Sequence, residues 1–93
     1  MANDVERLTM TAVLRMDAKA GARERLESAR AKLIAISHRI HAHPEVGFEE
    51  ERAAGWLCDD LADAGFAVTR GVGDLPTAFV ARAGHGPLHV AFC

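Results

Sequence analysis

The stretch that decides the fold joins two helical patterns and contains a proline, a glycine, two histidines and three carboxylates. It reads Arg39-Ile40-His41-Ala42-His43-Pro44-Glu45-Val46-Gly47-Phe48-Glu49-Glu50. Proline disfavours the helical conformation of the residue before it, so Pro44 predicts the end of the preceding helix. Gly47 predicts a turn. The glutamates that follow suit the positive end of a new helix.

Upstream of this stretch, apolar residues recur at alternating spacings of four and three, which predicts an amphipathic helix. They are Ala22, Leu26, Ala29, Leu33, Ile36 and Ile40. A core-facing helix is the preferred interpretation, and a coiled coil is the alternative left open by the seven-residue repeat. Residues 1–20 show only a weak helical period at Val5, Leu8 and Ala12, which predicts a frayed helix or a variable N-terminal extension.

Downstream, a second helix is predicted with one apolar stripe and with Gly65 as its C-terminal cap. The stripe comprises Ala53, Leu57, Leu61 and Ala64, with Ala54 and Trp56 beside it. The apolar period then shortens to two, which predicts three strands: one around Phe66–Thr69, one over Thr77–Ala83 and one over Leu88–Phe92. The predicted class is therefore α/β, with two N-terminal helices followed by three strands.

The composition of the chain limits the classes of partner and the cellular location that we expect. The chain has 93 residues, a net charge of -2 and 5% aromatic residues. Without a basic excess or stacking aromatics, we expect no nucleic-acid partner. No apolar run approaches a membrane span and no signal peptide is recognisable, which predicts a cytoplasmic protein with no membrane contact. Cys58 and Cys93 form no motif and are expected to be reduced thiols.

None of the clusters of polar residues in the sequence contains a complete catalytic or metal-binding set. His38, His41, His43 and Glu45 offer metal-ligand types, but their spacing matches no zinc site, and histidines near a helix end also bond its last carbonyls. Further weak candidates are general bases at Glu45, Glu49, Glu50 and Glu51, a cation site at Asp59, Asp60 and Asp63, a phosphate loop at Gly71-Val72-Gly73, and surface histidines His85 and His89. No catalytic, cofactor-binding or metal residue is assigned.

Arg39–Glu50, which we call the joining stretch, resembles the N-terminal motif of the metal-dependent amidohydrolases. This family comprises the aminoacylase, hippurate hydrolase and aminobenzoyl-glutamate hydrolase relatives among the zinc carboxypeptidases. The resemblance extends roughly from Ala29 to Phe92, and within the family it is strongest to the aminobenzoyl-glutamate hydrolase branch. Further matching positions are Trp56-Leu57, Gly65-Phe66, Gly71-Val72-Gly73, Pro76-Thr77-Ala78 and Gly86-Pro87.

The resemblance implies a zinc-peptidase-like catalytic domain, of which residues 21–93 would be the N-terminal part, truncated before the metal site. It implies hydrolysis of amide bonds in N-acyl amino acids, short peptides or aminobenzoyl-glutamate, two divalent metals (zinc being expected) and possible homo-oligomers. The family's His-x-Cys-Gly-His ligand motif would follow Leu88–Phe92, so the isolated chain is expected to bind no metal and to be inactive. The alternative function is a non-enzymatic interaction module that uses the helix of residues 22–40.

Overall fold

The computed structural model describes the backbone from Asp4 to Cys93 and the side chains from Asp17 onward. Helix α1 spans Asp4–Ala42 and helix α2 spans Glu51–Asp63. Strands β1, Ala67–Arg70, and β2, Phe79–Arg82, follow, with a short 3-10 turn over Val72–Asp74 between them. The described chain divides into two units, one up to Ser37 and one of His38–Cys93.

The end of α1 was predicted correctly. The helix stops at Ala42, two residues before Pro44. The boundary predicted after residue 20 lies inside α1, so the division into an extension and residues 21–93 stays a prediction. The side chains of Val5, Leu8 and Ala12 lie outside the described residues.

The predicted core face of α1 is mostly uncovered. Ile36 is buried and Ile40 is half-buried, but Leu26 is 59% exposed and Leu33 48% exposed. The core-facing interpretation therefore holds only for the last turns of the helix. The alternating spacing was read correctly, but spacing shows only which residues share a face and not whether anything covers that face.

Helix α2 packs against both strands, and its buried residues are Ala54 and Cys58. The prediction of which face of α2 is buried was wrong by about one position. Ala53, Leu57 and Leu61 are only half-buried, and Ala64 is exposed. The small side chains of Ala54 and Cys58 lie one helical turn apart, which suits a face that packs closely on a sheet.

Gly65 ends α2 as predicted. Its φ is 98°, and its amide donates to the carbonyl of Ala62 at 3.0 Å. The amide of Phe66 donates to the carbonyl of Leu61, also at 3.0 Å. This is the Schellman pair of hydrogen bonds, which satisfies carbonyls that the helix itself leaves free.

The strands β1 and β2 form an antiparallel pair in which Val68 lies opposite Ala81 and Arg70 opposite Phe79. Val68, Phe79 and Ala81 are half-buried, and their neighbours along each strand are exposed, so the predicted period of two is confirmed for this pair. Strand β2 is shorter than predicted because the amide of Ala78 donates to the carbonyl of Leu75 within the preceding turn.

The prediction of a third strand was wrong. The described residues form two strands, and residues 88–92 pair with neither of them. Leu88, Val90 and Phe92 are 82%, 71% and 96% exposed. Alternating apolar residues make a strand only when a neighbouring chain segment takes up their backbone hydrogen bonds, and no such segment lies beside them in the described part of the chain.

Along the described part of the chain, no helix combines the length and the apolar content needed to cross a bilayer. The predicted cytoplasmic location stays a prediction.

We expect Gly65→Ala and Gly55→Ala to change stability in opposite directions. Gly65 has a left-handed φ that costs a side-chain-bearing residue about 1 kcal/mol. Gly55 lies inside α2, where an added Cβ would meet the Arg70 Nη2 atom at an ordinary 3.8 Å, and alanine should raise stability by about 0.5–1 kcal/mol. Urea unfolding followed by circular dichroism measures both. Equal effects of the two variants would contradict the assigned helix end.

Candidate functional site

The joining stretch is held by a carboxylate that reaches forward to the start of α2. The backbone amide of Arg52 donates to Glu45 Oε2 at 2.9 Å, and that of Ala53 donates to Glu45 Oε1 at 3.0 Å. Amides in the first turn of a helix have no partner within the helix. Glu45 therefore caps α2 from outside the helix, and the residue at the usual capping position, Glu50, makes no such side-chain bond.

The same hydrogen bonds set the acidity of this carboxyl. The amides of Arg52 and then Ala53 lower the pKa of Glu45 below its ordinary value of 4.5, and desolvation of the carboxylate opposes them. Hydrogen bonds to the ionised form favour that form. Each oxygen of Glu45 already accepts one amide hydrogen bond, and a carboxylate with a lowered pKa is a weaker base, so the geometry favours capping over the base role considered for Glu45.

A tight turn lets Glu45 fold back onto α2. The amide of Glu49 donates to the carbonyl of Val46 at 2.9 Å. The turn was predicted, but its unusual residue was not. The positive φ of 67° belongs to Phe48 and not to Gly47, and Phe48 is 74% exposed. A left-handed φ at a residue with a side chain costs about 1 kcal/mol, so the surrounding hydrogen bonds hold this turn against its intrinsic preference.

On the other side of Pro44, the end of α1 contacts Trp56 of α2. The guanidinium carbon of Arg39 lies 4.6 Å from the centre of the Trp56 ring system, and the His43 ring meets it edge-on at 5.4 Å. His43 Nδ1 donates to the Arg39 carbonyl at 2.9 Å. The interpretation of this histidine as a group that bonds the last helical carbonyls is therefore confirmed.

The three histidines do not form a metal site. His38 and His41 are exposed on the last turns of α1, and His43 is turned onto Trp56. Among the side chains that the structure describes, no three His, Cys, Asp or Glu residues come close enough to hold a metal ion together. The described residues therefore do not fit the two-metal centre that the family resemblance implies.

The remaining candidates lie apart from this stretch. Asp59 and Asp63 are exposed, which agrees with a solvated face, and Gly71–Gly73 belongs to the turn between β1 and β2. His85 and His89 are exposed, Cys58 is a buried free thiol, and Cys93 is an exposed one.

A shallow groove of about 290 Å³ lies on α1, at the small end of the range for ligand pockets. It is lined by Leu26, Glu27, Arg30, Leu33 and Ile34.

Comparison with known proteins points to a hydrolase. The chain is similar to a p-aminobenzoyl-glutamate hydrolase subunit of Escherichia coli (strain K12), with 44% identity over 61 residues. That match covers 66% of this chain and 13% of the relative, so the chain spans about an eighth of that protein's length. No family model matches the chain, and no solved structure matches it.

We expect Glu45→Gln to lower the stability of the protein at neutral pH. Both carboxylate oxygens accept amide hydrogens, and glutamine would turn one acceptor into a donor that faces an N–H group. The pKa of Glu45 is lowered in the folded state, so its contribution is present above the ordinary value of 4.5 and is lost as the pH falls through the lowered value. Urea unfolding at a series of pH values measures this dependence.

Glu49→Gln is the matched control, because Glu49 is exposed in the same stretch and undergoes the same chemical change. Its urea midpoint should stay near that of the natural chain. A Glu45→Gln variant with an unchanged midpoint at pH 7, or with a deficit that persists undiminished at acid pH, would contradict the capping role.

We expect Arg39→Met to destabilise the protein by about 0.5–1 kcal/mol, because it removes a cation from the face of an indole and keeps an apolar stem. Trp56 is the single tryptophan, so its fluorescence reports directly on this contact. Arg25→Met on the exposed part of α1 is the control and should leave both the emission spectrum and the stability unchanged. An identical response of the two variants would contradict the contribution of the Arg39–Trp56 contact.

Proposed function

We propose that this chain belongs to a metal-dependent amidohydrolase that cleaves amide bonds in aminobenzoyl-glutamate, N-acyl amino acids or short peptides. The observation that carries the proposal is the 44% identity, over 61 residues, to a p-aminobenzoyl-glutamate hydrolase subunit. The resemblance of the Arg39–Glu50 stretch to the amidohydrolase family supports it as well. The substrate class, the metals and any homo-oligomer are parts of this proposal.

In the proposed enzyme, this segment supplies structure and not chemistry. Its joining stretch uses Glu45 to cap α2, and His43 and Arg39 to contact Trp56. These side chains are occupied by contacts within the segment, which leaves them poorly suited to bind substrate. The two divalent metals would supply an activated water and a polarised carbonyl, and their ligands would come from outside the described residues.

A chimaera tests the proposal. The matching segment of the Escherichia coli relative is replaced by this chain, and the release of p-aminobenzoate from p-aminobenzoyl-glutamate is measured by liquid chromatography. We expect the chimaera to retain hydrolytic activity and the isolated chain to show none. Activity should fall on metal chelation and return when zinc is added.

A chimaera with a scrambled copy of residues 39–50 is the matched control and should lose activity together with its cooperative unfolding. The proposal fails if the chimaera with this chain unfolds cooperatively and binds metal but does not cleave the substrate. Hydrolysis of the substrate by the isolated chain would instead contradict the structural role assigned to this segment, because the chemistry would then lie within it.

A further inference from the structure

The part of α1 between residues 22 and 33 presents an apolar surface to solvent. We define the α1 stripe as Ala22, Leu26, Ala29 and Leu33, which share one helix face by their spacing. Leu26 is 59% exposed and Leu33 48% exposed, and Ile34 at the edge of the stripe is 45% exposed. Such a face on an otherwise polar helix gains stability when a second element covers it.

The charged residues at the heptad positions that directly flank the stripe are all positive. In a heptad in which Leu26 and Leu33 occupy a positions, Arg23 and Arg30 occupy the e positions on one side and Arg25 a g position on the other. Lys32 occupies the next g position. Of the acidic residues of this region, Glu24 lies away from the stripe, and Glu27 lies beyond Arg30 at the outer edge of the groove, level with Ile34. Any helix that covers the stripe would therefore meet two rows of cationic side chains.

These rows argue against a second copy of this chain as the occupant. In a parallel pair, a g residue faces the following e residue of the other helix, which would place Arg25 of one copy opposite Arg30 of the second. An antiparallel pair would also bring cationic rows together, because both rows are basic. Like charges in these positions disfavour pairing, and opposite charges favour it.

A lipid surface is also a weaker fit. A helix that lies in a membrane interface inserts large apolar side chains such as Trp, Phe and Leu. Two of the four stripe positions are alanine, which gives little area to insert but lets a neighbouring helix approach closely. The alternating four and three spacing also matches the narrow seam of a helix pair and not a broad membrane-facing surface.

We propose that the α1 stripe binds an amphipathic helix of another polypeptide whose apolar seam is flanked by Asp or Glu. The apolar side chains would close over Leu26 and Leu33, and the partner's carboxylates would pair with Arg23, Arg25 and Arg30. Arg30 already approaches Glu27 at 3.9 Å, but both side chains are about 70% exposed and the contact is weak. A partner carboxylate can therefore compete for this guanidinium.

Two synthetic three-heptad peptides probe the proposal. Both carry leucine at a and d positions, and one has glutamate and the other lysine at e and g positions. Binding to the full chain is measured by fluorescence anisotropy of a labelled peptide, and the oligomeric state of the chain alone by sedimentation equilibrium. We expect the glutamate peptide to bind at least about tenfold more tightly than the lysine peptide. We also expect the chain alone to be monomeric.

Variants separate the charge from the apolar contact. Arg23→Gln, Arg25→Gln and Arg30→Gln together remove three positive charges beside the stripe and should weaken the glutamate peptide about tenfold. The control variant combines Ser28→Glu, Ala31→Glu and Ala35→Glu, which change the net charge by the same amount at exposed positions outside the stripe and its flanking e and g positions. It should change the affinity for the glutamate peptide by less than about threefold. Leu33→Asp should weaken binding on the order of thirtyfold. Circular dichroism confirms that each variant keeps its helix content.

Several results would overturn the proposal. They are equal binding of the two peptides, equal losses in the two triple variants, and a stable dimer of the chain that Leu33→Asp dissociates. Binding to vesicles of phosphatidylserine and phosphatidylcholine, without binding to either peptide, would assign the stripe to a lipid surface instead. The proposal concerns α1 alone, so the outcome of the chimaera experiment leaves it unaffected.

Discussion

The two hydrogen bonds from the amides of Arg52 and Ala53 to the Glu45 carboxylate are the interaction on which the structure around α2 depends. They satisfy the exposed first turn of α2 and draw the chain back after Pro44. That return holds the end of α1 beside α2, where Arg39 and His43 contact Trp56. The strained φ of Phe48 shows that the turn is held by its surroundings and not by local preference.

This arrangement also explains why a stretch rich in histidine and glutamate carries no assembled chemistry. A metal site needs several ligands that converge on one point with free lone pairs. Here Glu45 accepts from two amides, the Nδ1 atom of His43 donates to a carbonyl, and His38 and His41 are exposed to solvent. The residue types suggested a site, and their hydrogen bonds assign them to building the connection between two helices.

Much of the local architecture around α2 could be predicted from the sequence. Pro44 and Gly65 act through the conformations available to one or two residues, so the helix ends they mark were predicted correctly. Coverage of an apolar surface could not be predicted in this way. Regular apolar spacing was read as a buried face in α1 and as a strand at Leu88–Phe92, and both segments are largely exposed.

By itself, the sequence determined where α1 and α2 end, where the period of the chain changes to that of strands, and which hydrolase it resembles. These properties depend on backbone restrictions and on residue identities that act over a few positions. Only the tertiary structure decided that Glu45 caps α2 from seven residues away, and that the buried line of α2 runs through Ala54 and Cys58. Both features depend on which segments contact each other in the folded chain, and the spacing of residues along the sequence does not contain that information.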